Sequence, residues 1–191
     1  MRFLFSFLLA LCLALVPVTT TSARTLDGVD IPESLELNGQ TLTLNGAGDR
    51  SKWFMDHYVA SLYLPGKTAD ASAIINADEP QVITLHIISD MITSDRMKDA
   101  TMEGFRNSTD GDLSAIPDAV DTFLDVFSAE INNADMFALA YLPGKGISDS
   151  KNGEDSTTIG AMHFKKDLVV TVIAGQQTQS ETKSGLVGTE R

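Results

Sequence analysis

The chain has 191 residues, of which 26 are Asp or Glu and 14 are Lys or Arg, so its formal net charge at pH 7 is −12. This acidic balance argues against nucleic acid and anionic membrane surfaces as partners. The single cysteine, Cys12, lies in the apolar N-terminal run. The rest of the chain therefore has no disulfide, no thiol nucleophile and no cysteine-ligated metal.

The N-terminal residues predict a cleavable signal peptide. Met1-Arg2 carries one positive charge, an apolar run extends from Phe3 to Val16, and a stretch of small residues ends at Ala23. The apolar run is shorter than the roughly 20 residues that span a bilayer. We therefore expect residues 1–23 to be removed, residues 24–191 to form one domain, and the protein to be periplasmic or secreted, without membrane insertion.

The first half of the domain is predicted to consist mainly of strands. Residues 24–33 are interpreted as a loose lead-in, and Asn38-Gly39 between alternating apolar residues is a strong hairpin signal. Residues 70–77 are predicted to form a short helix that Pro80 ends. Alternation and β-rich composition predict strands at residues 34–37, 40–44, 52–64 and 82–88.

Two helices and a group of strands are predicted for the second half. Thr93 or Ser94 can cap a helix that runs to about Phe105, with Asp95 in its first turn. Near Pro117 a second helix begins. It combines an apolar stripe that extends to Ile131 with a solvated acidic face formed by Asp118, Asp121 and Asp125.

The C-terminal third contains turn signals and one ambiguous segment. Strands are predicted at 136–142, 146–150 and 156–160, with a turn at Asn152-Gly153. The apolar stretch from Phe164 to Ala174 fits a strand by propensity and a helix by position. Residues 176–183 are predicted to lie on the surface and residues 184–188 to pack back onto the domain.

The pentapeptide Tyr-Leu-Pro-Gly-Lys occurs twice, at residues 63–67 and 141–145. A duplicated unit is one explanation. Two strands that end independently in the same turn chemistry are the preferred one, because the residues upstream of the two copies do not match.

Arg50 is the strongest candidate for a ligand-binding residue. Gly46 and Gly48 predict a bend that sets its planar, permanently charged guanidinium at the mouth of the following strand. There it could bind a carboxylate or an enolate oxygen. A solvated turn residue is the alternative explanation.

Other sites are not indicated by the sequence. The three histidines lie on separate predicted elements, and the acidic residues around Asn152 lack the alternating spacing of a calcium loop. Phosphate-binding loops and a Gly-x-Ser-x-Gly nucleophile motif do not occur. We therefore expect neither a metal nor a cofactor.

Six blocks follow one another in a characteristic order: residues 46–50, 59–65, 87–97, 104–105, 140–146 and 183–188. In this order they resemble the exported bacterial branch of the chalcone isomerase-like family. The resemblance implies an α+β fold, an open-faced sandwich in which helices pack on one face of a large antiparallel sheet and a ligand cleft lies between the two layers.

The resemblance also bears on activity. Chalcone isomerases use an arginine on the Gly-x-Arg bend, which Arg50 matches, together with a threonine, a tyrosine and an asparagine. Those three positions fall at Val59, Thr93 and Ala100, so three of the four polar groups are changed and no catalytic residue is assigned. Other family members bind fatty acids, with the arginine holding the carboxylate.

We therefore expect a non-catalytic binding protein for a small amphipathic or carboxylate ligand such as a fatty acid, with Arg50 and Thr93 as ligand-binding residues. Phe54, Phe105 and Phe123 are among the apolar residues available to line such a cleft. Two alternatives stay open. One is a chalcone isomerase-type intramolecular lyase, and the other is a protein-interaction module that uses the acidic face of the second helix.

Overall fold

The computed structural model describes residues 23–52, 55–114, 116–159, 162–177 and 186–187. The predicted signal peptide lies outside these residues up to position 22. No helix in the described ranges combines the length and the apolar character needed to cross a bilayer. The elements are β1 (Ala23–Leu26), β2 (Val29–Pro32), β3 (Ser34–Leu37), β4 (Gln40–Lys52), β5 (Met55–Leu64), α1 (Ala71–Asn76), β6 (Gln81–Ile87), α2 (Ser94–Ser108), α3 (Pro117–Asp125), β7 (Met136–Leu142), β8 (Gly146–Lys151), β9 (Glu154–Ile159) and α4 (Met162–Gln177).

Seven strands form one antiparallel sheet in which chain order and spatial order coincide, from β3 to β9. Side chains alternate between its two faces. Ala60, Leu62 and Leu64 of β5 belong to the main core, which also contains buried residues from all four helices. The helices therefore cover one face of the sheet, as the predicted fold class requires.

A smaller apolar cluster lies on the opposite face. Val59 and Tyr63 of β5 contribute to it, together with Leu42 and Leu44 of β4. Ile31 of β2 is completely buried in the same cluster. The hairpin of β1 and β2 thus packs where the sheet would otherwise expose apolar side chains to water.

The prediction of a loose lead-in at residues 24–33 is wrong, because β1 and β2 form an antiparallel hairpin there. Its turn residues Asp27 and Gly28 have φ values of 48° and 79°. Two consecutive positive φ values are typical of a type I′ turn, which Asp-Gly favours. The flanking strands have only four residues each, too few to show a clear alternation.

The predicted bend at Gly46–Arg50 is also wrong, because β4 continues as a strand to Lys52. Gly46 pairs with Leu62 and Gly48 with Ala60, so β5 supplies the pairing that offsets the low strand propensity of glycine. The register shifts at both ends of this segment, between Leu44 and Gly46 and between Arg50 and Ser51. Asn45 is the additional residue of the first bulge.

The ambiguous segment at residues 164–174 is helical and belongs to α4. Phe164 and Leu168 are buried four residues apart, as are Val169 and Ile173. This helical packing outweighs the strand propensity of the Val and Ile residues. The second predicted helix is shorter than its apolar stripe. It ends at Asp125, and Ile131 is buried from the loop that follows.

The two Tyr-Leu-Pro-Gly-Lys copies end different strands, and their tyrosines lie on opposite faces of the sheet. Tyr63 lies in the smaller cluster and donates to the carbonyl of Pro32 at 3.1 Å. Tyr141 lies in the main core and donates to Asp78 Oδ1 at 2.6 Å. The second copy turns directly into β8 through Gly144, whose φ is 74°. This difference supports independent turns over a duplicated unit.

Asn45 connects three distant parts of the chain. Its Nδ2 donates to the carbonyl of Leu186 at 2.7 Å, and its Oδ1 accepts from the Thr68 amide at 2.8 Å. Leu186 is buried, which confirms the predicted return of the C-terminal residues for positions 186 and 187. Residues 178–185, which contain most of the predicted surface tail, lie outside the described part.

Candidate functional site

A cavity of about 50 Å³ lies between the sheet and the helices. Strands β5, β6 and β7 form its floor, and α2, α3 and α4 form its roof. Its walls are mainly apolar, with hydroxyl groups at three positions. The lining residues are Tyr58, Leu85, Met97, Ala100, Thr101, Phe123, Phe127, Leu139, Leu168, Thr171 and Val172.

Small side chains leave this space open. Ala100 and Thr101 of α2 face the cavity, and so does Thr171 of α4. Each of these small residues lies one helical turn from a larger apolar residue that also lines the cavity. Gly104 allows α2 to approach α4 closely, because a Cβ at this position would lie 2.3 Å from Cγ2 of Thr171. The two helices therefore touch at Gly104 and Thr171, and Thr171 also lines the cavity.

Arg50 pairs directly with Tyr58 across β4 and β5. Its side chain lies outside the described part of the chain. Residues directly opposite each other in an antiparallel pair share a face of the sheet. The register position of Arg50 is thus on the face of Tyr58, which lines the cavity.

Thr93 is the N-cap of α2, and its Oγ1 accepts a hydrogen bond from the Arg96 amide at 3.3 Å. It is exposed and does not line the cavity. The structure therefore does not bring Thr93 together with the lining residues. What Thr93 positions is the start of α2, whose later residues Met97, Ala100 and Thr101 do line the cavity.

The positions assigned by family resemblance divide between the two faces of the sheet. Val59 is fully buried in the smaller cluster, on the face away from the helices. Ala100 lines the cavity and brings no polar group to it. The residue of β5 that faces the cavity is Tyr58, and the alternation with Ala60 and Leu62 could have identified it from the sequence.

A second, larger cavity of about 240 Å³ lies at the other end of β5. It is formed by the turn after Leu64 and by α1, and Lys67 and Gln81 are among its lining residues. Tyr58 and Leu64 are six residues apart in a strand, which corresponds to roughly 20 Å. Lys67 Nζ lies 3.9 Å from Glu33 Oε2. The two cavities are therefore separate.

Two ionisable groups with lowered pKa values, Lys165 and His86, lie outside the smaller cavity. Burial lowers the pKa of Lys165 to about 8, and its Nζ donates to three carbonyl groups at the C-terminal end of α1. Burial also lowers the pKa of His86, which pairs with Val59 and Met136. Within the described ranges, no three His, Cys, Asp or Glu residues are grouped so that they could hold a metal ion.

The acidic residues of α3 form a solvated face, as predicted. Asp118, Asp121 and Asp125 are all exposed, while Val120 and Phe123 of the same helix are buried. Asp125 Oδ1 accepts a hydrogen bond from Ser128 Oγ at 3.2 Å.

Known proteins share this architecture. A crystal structure of a fatty-acid binding protein from Arabidopsis thaliana matches with a TM-score of 0.64, covering 82% of this chain and 90% of that one at 14% sequence identity. At this identity the likeness shows a shared fold. No curated protein matches the sequence. The family model described as chalcone isomerase-like matches residues 23–188. The chain therefore belongs to the chalcone isomerase-like family.

Proposed function

We propose that this protein binds a small amphipathic carboxylate without transforming it. The apolar part of the ligand enters the cavity between the sheet and the helices, and Arg50 holds the carboxylate. The observation that carries this proposal is the cavity itself, which has apolar walls and only the hydroxyl groups of Tyr58, Thr101 and Thr171. A mostly apolar cleft with a few polar groups is typical of small-molecule sites.

Arg50 supplies the charge that the lining residues lack. Its register position opposite Tyr58 is on the cavity's face of the sheet. A guanidinium binds a carboxylate through two parallel hydrogen bonds and stays charged at any physiological pH. In a chain with a net charge of −12, a local cation is needed to attract an anion. Thr93 contributes indirectly, because its cap fixes the start of α2.

The composition of the wall argues against an acid–base mechanism. Among the described residues that line the cavity there is no carboxylate, imidazole or amine, the groups that most often transfer protons in enzymes. Val59 faces away from the cavity, and Ala100 has no functional group. We therefore prefer binding over the isomerase alternative.

The fold comparison supports the choice of ligand class. The Arabidopsis protein is named for binding fatty acids, which are amphipathic carboxylates. Export, with residues 1–23 as the signal peptide and a periplasmic or secreted location, is part of the same proposal.

The proposal is tested by titrating the purified protein with saturated carboxylates from butanoate to hexadecanoate, using calorimetry and native mass spectrometry. Arg50→Ala should weaken binding by about tenfold or more, as expected when a hydrogen bond to a charged group is lost. Lys67→Ala is the matched control, because it removes a cation from the larger cavity. We expect it to change the affinity less than twofold.

Two results would contradict the proposal. One is an absence of uptake for every carboxylate in the series. The other is a loss of binding in Lys67→Ala with full binding in Arg50→Ala, which would place the ligand in the larger cavity. A chalcone turnover assay adds a separate check, since turnover that depends on Arg50 would show catalysis.

A further inference from the structure

We infer that the cavity selects carboxylates with short aliphatic chains, of about four carbons, and that the rings of Phe123 and Phe127 set this limit. The inference rests on the proposed function and adds the size of the ligand to it. It is argued from the volume of the cavity, from the packing behind its wall and from the contact between α2 and α4.

The volume is small for a lipid site. It is about 50 Å³, whereas pockets for drug-sized ligands usually span about 300–1,000 Å³. An engineered apolar cavity of about 150 Å³ holds one benzene molecule, which has six carbons. By this comparison, the space here accepts about two carbons. In a four-carbon acid these are the two at the methyl end, and the α-methylene and the carboxylate stay outside the cavity.

The wall of the cavity is backed by packed aromatic rings. Phe123 lines the cavity, and its ring centroid lies 5.9 Å from that of Phe105 and 5.5 Å from that of Phe164. Phe105 and Phe164 stack on each other at 5.3 Å and are fully buried. A longer chain would therefore meet rings directly behind the wall instead of free space.

Phe127 closes the adjacent part of the wall. Its centroid lies 5.7 Å from that of Phe123 and 5.2 Å from that of Phe137. Each such ring pair adds stability beyond the area that it buries. Because protein interiors are densely packed, displacing one ring disturbs several pairs at once. A long chain is excluded by this linked packing.

The seam between the two helices is tightly packed at Gly104 and Thr171. A Cβ on Gly104 would lie 2.3 Å from Thr171 Cγ2, so α2 and α4 are in direct contact beside the cavity. A chain that has filled the cavity cannot continue between the helices at this contact. The available length is thus set by the floor, the rings and this contact together.

This arrangement predicts a characteristic dependence on chain length. Each buried methylene contributes about 0.8 kcal/mol, which is close to a fourfold gain in affinity. The gain should stop once the cavity is full. We expect affinity to rise from acetate to butanoate and to fall at least tenfold by octanoate.

The experiment is an NMR titration with acetate, propanoate, butanoate, hexanoate, octanoate and dodecanoate. It compares wild type with Phe123→Leu, Phe127→Leu and Leu42→Val. Leu42→Val is the matched control, because it also shortens a fully buried apolar side chain, but in the smaller cluster on the other face of the sheet. Phe123→Leu and Phe127→Leu should each move the optimum to a chain at least two carbons longer, and the control should leave it unchanged. Two independent wall variants keep the test decisive if one of them fails to fold.

The possible failures are distinguishable. Dodecanoate binding at least as tightly as butanoate in the wild type overturns the size limit and leaves the proposed function in place. An unchanged optimum in every folded wall variant overturns the assignment to the two rings. An absence of Arg50-dependent binding for every carboxylate contradicts the proposed function, and the size limit is overturned with it.

Discussion

Gly104 lies where α2 and α4 touch, and its replacement by alanine tests how closely the helical roof of the cavity is packed. An added Cβ would lie 2.3 Å from Thr171 Cγ2, well below van der Waals contact. Threonine can adopt two χ1 rotamers in a helix, so its hydrogen bonding decides whether the methyl group can move away. A change of rotamer would break the hydrogen bond from Thr171 Oγ1 to Ser108 Oγ.

Two opposing effects set the magnitude. Overpacking of this kind costs about 2 kcal/mol. Replacing a glycine inside a helix by alanine contributes about 1 kcal/mol in the other direction. We therefore expect Gly104→Ala to lower the free energy of unfolding by about 1 kcal/mol, through the steric contact with Thr171.

Urea unfolding of a double-mutant cycle with Thr171→Ser isolates the contact. Serine lacks Cγ2, and the next atoms of residue 171 would then be 3.5 and 3.7 Å from the new Cβ, which is ordinary contact. In that background Gly104→Ala should stabilise the protein by up to about 1 kcal/mol. The coupling energy is therefore about 2 kcal/mol. Equal effects of Gly104→Ala in both backgrounds would refute the close contact.

Two further predictions concern buried polar groups. Burial lowers the pKa of Lys165 from 10.5 to about 8, so the unfolded chain binds more protons between these values and stability rises with pH. From pH 7 to 9.5 the wild type should gain about 2 kcal/mol relative to Lys165→Met; parallel pH profiles in urea unfolding would contradict this. Asn45→Ala should destabilise by roughly 2–4 kcal/mol and speed amide exchange at Val187, because the Leu186 carbonyl and the Thr68 amide lose their buried partner. Exposed Asn76→Ala is the control, and a similar small loss in both variants would show that the bulge contacts are unimportant.

The sequence indicated the elements whose patterns are local. Periodicity identified β6, β7 and α2, and the capping role of Thr93 followed from residue type. The continuation of β4 through Gly46 and Gly48 could not be read this way, because it depends on pairing with β5. In α4, tertiary burial of Phe164 and Leu168 overrode a strand-like composition.

The candidate site was predictable only in part. The resemblance pointed to a cleft between the sheet and the helices, and alternation along β5 places Tyr58 there. The position of Thr171 on the cavity wall could not be predicted from the sequence, because it depends on the contact between α2 and α4. The size of the cavity depends on how five phenylalanine rings pack together, which no local pattern records.

The most direct test of ligand binding between the sheet and the helices is a residue-resolved NMR map of the butanoate complex. We expect saturable amide and methyl shifts at Tyr58, Ala100, Thr101 and Thr171, together with nuclear Overhauser contacts from the ligand methyl to these residues. Shifts confined to Lys67 and Gln81 around the larger cavity, or shifts that do not saturate, would contradict the account.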